Sequence, residues 1–162
     1  MPLSKIVQNS VDTPVAGTGP AFSAYANAVQ SVTSGVPTKV QFSVEDFDTA
    51  SAYDNTTNFR FQPLVAGYYQ CNAAVRLNGV SSTNYDIYFF KNGSNYRNYS
   101  TVSLATGIGT TTIQTISALI FLNGSTDYLE VWADVNGSST TFSAASGNLN
   151  TSSFSGSLVR AA

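Results

Sequence analysis

From residue 20 onward, apolar side chains recur at every second position, and this regularity restricts the chain to β-structure. In "YYQCNAAVRL" (68–77), Tyr69, Cys71, Ala73, Val75 and Leu77 share one side, and Tyr68, Gln70, Asn72, Ala74 and Arg76 the other. "DYLEVWADV" (127–135) sets Leu129, Val131, Ala133 and Val135 against Tyr128, Glu130, Trp132 and Asp134. "KVQFSV" (39–44) sets Val40, Phe42 and Val44 against Lys39, Gln41 and Ser43. Side chains alternate across a strand, so a period of two marks a strand buried on one face. No stretch has the helical period.

"TIQTISALIFL" (112–122) departs from the simple pattern. Ile116, Ala118, Ile120 and Leu122 form one face, but Leu119 and Phe121 make the upper part of the other face apolar as well. A strand apolar on both sides is buried on both sides, and in a two-sheet sandwich the second cover comes from outside the domain. Four Asn-Gly pairs, at 78–79, 92–93, 123–124 and 136–137, punctuate these runs. Asn-Gly accommodates the positive φ of tight hairpins, so each pair is expected to turn the chain. Together these signals predict ten or so short strands in an all-β sandwich.

Composition narrows the function. The chain has 162 residues, enough for one domain with a core of its own, and 10% of them are charged. With seven Lys and Arg and a net charge of -2, a basic surface for nucleic acid is not expected. The longest apolar run, "ALIFL" (118–122), is too short for a membrane span. The opening "MPLSKIVQNSV" lacks the apolar segment of a secretory signal. One cysteine excludes an internal disulfide, and the absence of histidine removes Ser-His-Asp and Cys-His catalysis and imidazole metal sites. Residues 1–19, with Pro2, Pro14, Gly17 and Gly19, read as an extended N-terminal docking arm in front of a domain at 20–162. Leu3, Ile6 and Val7 are its apolar contacts, because a free terminus is ordered only where it is tied down.

Several stretches, taken in order, carry a resemblance: "PAFSAY" (20–25), "KVQF" (39–42), "FDTASAYDNTTNFRFQPLVAGYYQCNAAVRL" (47–77), "FFKNGS" (89–94), "LIFLNGSTDYLEVWADV" (119–135) and "FSGSLVR" (154–160). This ordered set resembles the globular head of complement component one, subcomponent q, within the tumour-necrosis-factor-like jelly rolls. The Ser/Thr/Asn-rich form, "LNGSTDY", the terminal "LVR" and the opening "MPLSKIVQNSV" look most like phage and other viral structural proteins. The resemblance implies a ten-strand jelly roll assembled as a threefold trimer, and it implies no catalysis. On that pattern Tyr69, Cys71 and Ala73 fill the core, while Tyr68, Gln70, Asn72, Leu119 and Phe121 meet sister subunits. The collagen-like stalk of the animal members is missing, so their partners do not carry over.

The remaining candidates each have a sharp and a plain reading. Cys71, mid-strand among inward residues, reads as a packed thiol rather than a nucleophile. Glu130 and Asp134 share a face with Trp132, but their separation of roughly 13–14 Å along a strand exceeds that of a glycosidase pair. Glu45, Asp46, Asp48 and Asp54 would suit calcium, yet their spacing matches no ligand loop, and Asp54 reads equally well as bonding its own turn. Tyr96, Arg97 and Tyr99 in "YDIYFFKNGSNYRNYS" (85–100) form a candidate ligand surface, Tyr offering a face for a sugar ring. In the plain reading of that stretch, Phe90 and its same-face neighbours are core.

The expectation is therefore a homotrimeric virion protein with no cofactor, metal or catalytic residue. In one form it is a capsid decoration (cement) protein on the head, docked through its arm to the major capsid protein. In the other it is the receptor-binding knob of a tail or head fibre, attached to a fibre or baseplate protein and recognising a host-surface glycan or protein. Nineteen residues before the domain make no shaft, which favours decoration. Synthesis in the host cytoplasm and no membrane insertion complete the expectation.

Overall fold

The computed structural model describes residues 18–103, 110–143 and 151–162. Its regular elements are all strands: β1 (Ala21–Tyr25), β2 (Gln30–Ser31), β3 (Thr38–Lys39), β4 (Val44–Asp48), β5 (Tyr53–Asp54), β6 (Arg60–Phe61), β7 (Gly67–Lys91), β8 (Ser94–Ser103), β9 (Thr110–Leu122), β10 (Leu129–Ser143) and β11 (Ser153–Ala161). Every ladder is antiparallel, and β7 is the spine. Residues 67–74 of β7 lie between β11 and β9, and residues 84–91 lie between β8 and β10. One long strand thus serves two layers. The front layer runs β4-β1-β11-β7-β9; the back layer joins β8, β7 and β10, with β2, β3 and β6 beside β10 and β5 beside β6.

The core lies between the layers and is aromatic. Phe22 stacks on Phe61 at 4.4 Å and on Tyr53 at 4.9 Å, and meets Phe154 edge-on at 4.8 Å. Tyr69, Cys71, Ala73, Val75 and Leu77 all point into it and are buried. So are Leu129, Val131, Ala133 and Val135 of β10, and Ile116, Ile120 and Leu122 of β9. Gly156, opposite Cys71, makes room for the cluster: a Cβ there would lie 2.8 Å from Phe22 Cε1 and 3.3 Å from Cys71 Sγ. Each large apolar side chain so buried stabilises the fold by about 1.5–3 kcal/mol.

Four expectations change. The described residues hold eleven strands, not ten; four of them have two residues each, while β7 has 25.

Two Asn-Gly pairs do not turn the chain. Asn78-Gly79 lies inside β7, where Asn78 pairs with Thr111 on one side and Thr141 on the other, and a hairpin would forfeit both ladders. At Asn136-Gly137 the ladder of β10 slips register instead; the Ser34 hydroxyl accepts the Gly137 N–H at 3.0 Å and donates to Asn136 Oδ1 at 3.4 Å. Asn92-Gly93 is a hairpin as expected, with φ of 54° and 76°. Asn123-Gly124 turns the chain between layers rather than closing a hairpin, its Asn123 Oδ1 accepting the N–H groups of Ser125, Thr126 and Asp127, each at 3.0 Å.

Residues 39–44 do not form one strand. The Gln30 amide stands where a neighbouring strand would, donating to Lys39 O at 2.8 Å and accepting from Gln41 N–H at 3.2 Å. Val40 and Phe42 are nonetheless buried, as the alternation requires. Finally, Phe89 and not Phe90 is core; Phe90 lies on the outer side of the back layer, stacked on Trp132 at 4.6 Å.

Candidate functional site

The outward side of β7 and β9 carries apolar side chains that the core leaves unused. Register sets Tyr68 beside Phe121, Gln70 beside Leu119 and Asn72 beside Ser117. The five residues expected at a subunit contact therefore form one contiguous face. Tyr68 is 44% exposed, Leu119 53% and Phe121 38%, and the Tyr68 and Phe121 rings stand 5.4 Å apart. Further along, the face is polar and satisfied within itself: Gln70 Nε2 donates to Ser117 Oγ at 2.9 Å, and Ser117 Oγ donates to Asn72 Oδ1 at 2.8 Å. Ile113, 52% exposed, stands apart toward the other end of the same face, opposite Arg76, while Tyr68, Leu119 and Phe121 gather at the end of the strands near Gly67 and Leu122.

That end is held by a network the sequence did not announce. Lys91 Nζ pairs with Asp127 Oδ2 at 2.8 Å and donates to Phe121 O at 2.8 Å. Asp127 also accepts from Asn92 Nδ2 at 2.8 Å and from the Asn123 N–H at 3.1 Å. Burial alone would raise the Asp127 pKa, but Lys91, Asn92 and Asn123 together hold it below the usual carboxylate value. The network pins the 92–93 hairpin to the 123–128 connection and fixes the backbone beneath Phe121. The "LNGSTDY" run was the available signal, since its Asn and Asp sit four residues apart and close one loop.

Lys91 also links the two groups of candidate residues. Its ammonium lies 5.9 Å from the Tyr96 ring and 5.9 Å from the Phe121 ring. Tyr96 is exposed, and the Arg97 guanidinium stands over its ring at 5.1 Å. Tyr99 pairs with Ile87 through its backbone, and its side chain lies outside the described structure, as do Leu3, Ile6 and Val7.

The described residues begin and end near this same end. Leu158 N–H donates to Pro20 O at 3.0 Å, and Ala162 N–H donates to Ala66 O at 3.0 Å. Gly124, at φ +71°, packs so closely on Ala66 that a Cβ would lie 2.3 Å from its nitrogen.

Groups that could suggest chemistry are otherwise engaged. Cys71 is fully buried, and burial pushes its thiol up to about 12, so almost none is thiolate at neutral pH. Asp54 accepts the N–H groups of Thr57 at 2.9 Å, Thr56 at 3.0 Å and Asn58 at 3.2 Å, with the Thr57 bond foremost in holding its carboxyl well below the usual range. Asp48 accepts the N–H groups of Tyr53 at 2.7 Å and Ala50 at 3.0 Å. Among the described residues no group of three or more His, Cys, Asp or Glu converges as a metal site would. Glu130, 4% exposed, is clasped by Lys39 Nζ at 2.6 Å and by the Trp132 N–H at 3.0 Å. Three shallow cavities lined by described residues hold about 240, 270 and 300 Å³, at or below the ~300–1,000 Å³ of small-molecule sites.

No protein-family model matches the chain, and no curated protein matches it. Among solved structures it is similar to Eiger, a tumour necrosis factor from S. frugiperda. The TM-score is 0.60 and the identity 14%, over 89% of this chain and 95% of that one. At that identity the likeness is one of fold: the chain has a tumour-necrosis-factor-like jelly-roll fold.

Proposed function

We propose that this chain is a homotrimeric structural protein of a phage or other viral particle, decorating the capsid surface as a cement protein. The observation that carries this reading is the clustered, exposed Tyr68–Leu119–Phe121 patch on the outward face of β7 and β9. Large apolar side chains standing together in water mark an interface, and the family resemblance implies that sister copies supply the cover. The Ser/Thr/Asn-rich character and the "LNGSTDY" and "LVR" runs support the viral setting by resemblance. Inaccessible Cys71, the absent histidine and the engaged carboxylates support a scaffold rather than a catalyst.

The place where the described residues begin favours decoration. Pro20, Ala66 and Ala162 lie together at the end that also carries Phe121, Lys91 and Tyr96. In a trimer, three arms would leave from that one end and carry Leu3, Ile6 and Val7 toward the shell. The exposed Tyr96 and Arg97 favour a second reading, a fibre knob binding a host-surface glycan or protein. Their place at the arm end weighs against it, because a receptor site belongs on the end remote from attachment.

Copy number per particle, measured by quantitative mass spectrometry of purified virions, separates the two. Hundreds of copies support decoration. A few dozen or fewer, together with glycan or host-cell binding by the purified protein, would replace it with the knob.

A further inference from the structure

We infer that neighbouring copies of this chain meet through two unlike edges, the acidic β4 edge of one against the Arg97 edge of the next. This rests on the trimer reading above and supplies the pairing that reading leaves open.

The two edges use one device with opposite charge. β4 is the outermost strand of the front layer. Its register against β1 shifts between Ser23 and Ala24, so Asp46 has no Cα partner while Phe47 faces Ser23. Asp46 and Phe47 are both exposed as a result. Among the described residues Asp46 Oδ2 accepts one hydrogen bond, from the Ser23 hydroxyl at 2.8 Å. β1 and β4 contain no Lys or Arg.

On the opposite side, β8 is outermost in the back layer and adjoins β9. Its register shifts between Phe89 and Phe90: Arg97 opposes Phe89, Asn95 opposes Phe90, and Tyr96 is the extra residue. Tyr96 and Arg97 are both exposed. Among the described residues no carboxylate pairs with Arg97, whereas the nearby Lys91 is taken by Asp127.

A bulge at an edge interrupts the ladder and re-aims side chains. Here one bulge leaves a carboxylate beside a phenyl ring, and the other a guanidinium beside a phenol. A twofold contact would set each edge against itself, carboxylate against carboxylate. A head-to-tail contact sets Asp46 against Arg97 and Phe47 against Tyr96, and such contacts form a ring when the rotation closes. Buried charge pairs at protein interfaces couple strongly, and like charges there repel.

The test uses the full chain carrying Arg97→Glu, Asp46→Arg, or both, with association followed by sedimentation over a concentration series. Each single reversal is expected to raise the dissociation constant about tenfold or more, and the combination to return it to within about threefold of the unaltered chain. Should a reversal fail to fold, Arg97→Gln and Asp46→Asn carry the same test, each expected to weaken association about threefold. Single changes without effect, or a combination no better than the singles, overturn the pairing while leaving the trimer standing. An unaltered chain that sediments as a monomer throughout overturns both.

Discussion

β7 and β9 each have two faces, and the faces have opposite fates. Inward, Tyr69, Cys71, Ala73, Ile116 and Ile120 are buried against side chains of the same chain. Outward, Tyr68, Leu119 and Phe121 come from the same two strands, one residue out of step, and stand in water. Backbone pairing is identical for both sets, so the difference lies in what covers them. Mid-face, nature of the outward side chain changes to Asn72 and Ser117, which satisfy one another. Large apolar side chains cluster at the end where Lys91 lies, and Ile113 stands singly toward the other. The patch is fixed from beneath by the Lys91–Asp127 network, as the proposed subunit contact requires.

This contrast can be broken from the inside first. Phe154 touches Phe22, Phe42, Tyr53 and Phe89 across the core. Phe154→Ala should cost about 3–5 kcal/mol of stability, measured by urea unfolding. A cost below about 1 kcal/mol would mean that the inward face is not tightly packed. Cys71→Ser keeps the volume but buries a hydroxyl beside Gly156, and should cost roughly 1–3 kcal/mol by the same assay. The native thiol should also resist alkylation at pH 8 and react fully once the protein is unfolded.

Outward changes should act less on the fold. Asp134 lies opposite Asp86 on the back layer, and its pKa is raised, first by burial and then by the Asp86 charge. The native state therefore holds that proton to higher pH than the unfolded chain, and the stability it contributes falls as pH rises through the native value. Asp134→Asn, always neutral, should stabilise by up to about 1 kcal/mol at neutral pH. The gain should vanish below the ordinary carboxylate pKa, which thermal melts across pH would show. The smallest expected change in single-chain stability, within about 0.5 kcal/mol, belongs to Phe121→Asp. Yet that variant should lose self-association, because a charge would be buried unpaired at the contact.

Alternation made much of this legible. The inward sets of β7, β9 and β10 match the period-two reading residue by residue, and the outward Leu119 and Phe121 stood out because they broke it, whereas Tyr68 was placed with them by resemblance. What stayed hidden depends on partners far along the chain. Asn78-Gly79 has the chemistry of a turn, but two ladders hold it straight. Val40 and Phe42 alternate like strand residues, but the Gln30 side chain replaces the neighbour that would make them one. Phe89 and Phe90 are equivalent in composition, and only pairing decides which faces in. The bulges at Asp46 and Tyr96 left no local signal, since a register shift belongs to two strands at once. The Lys39–Glu130 clasp joins residues from distant segments in the same way.

Sedimentation equilibrium of the full chain at micromolar concentration tests the central claim most directly. Cover by sister copies predicts a particle of three times the 17.1 kDa chain mass. A species of 17.1 kDa alone, with Tyr68, Leu119 and Phe121 left in solvent, would contradict it.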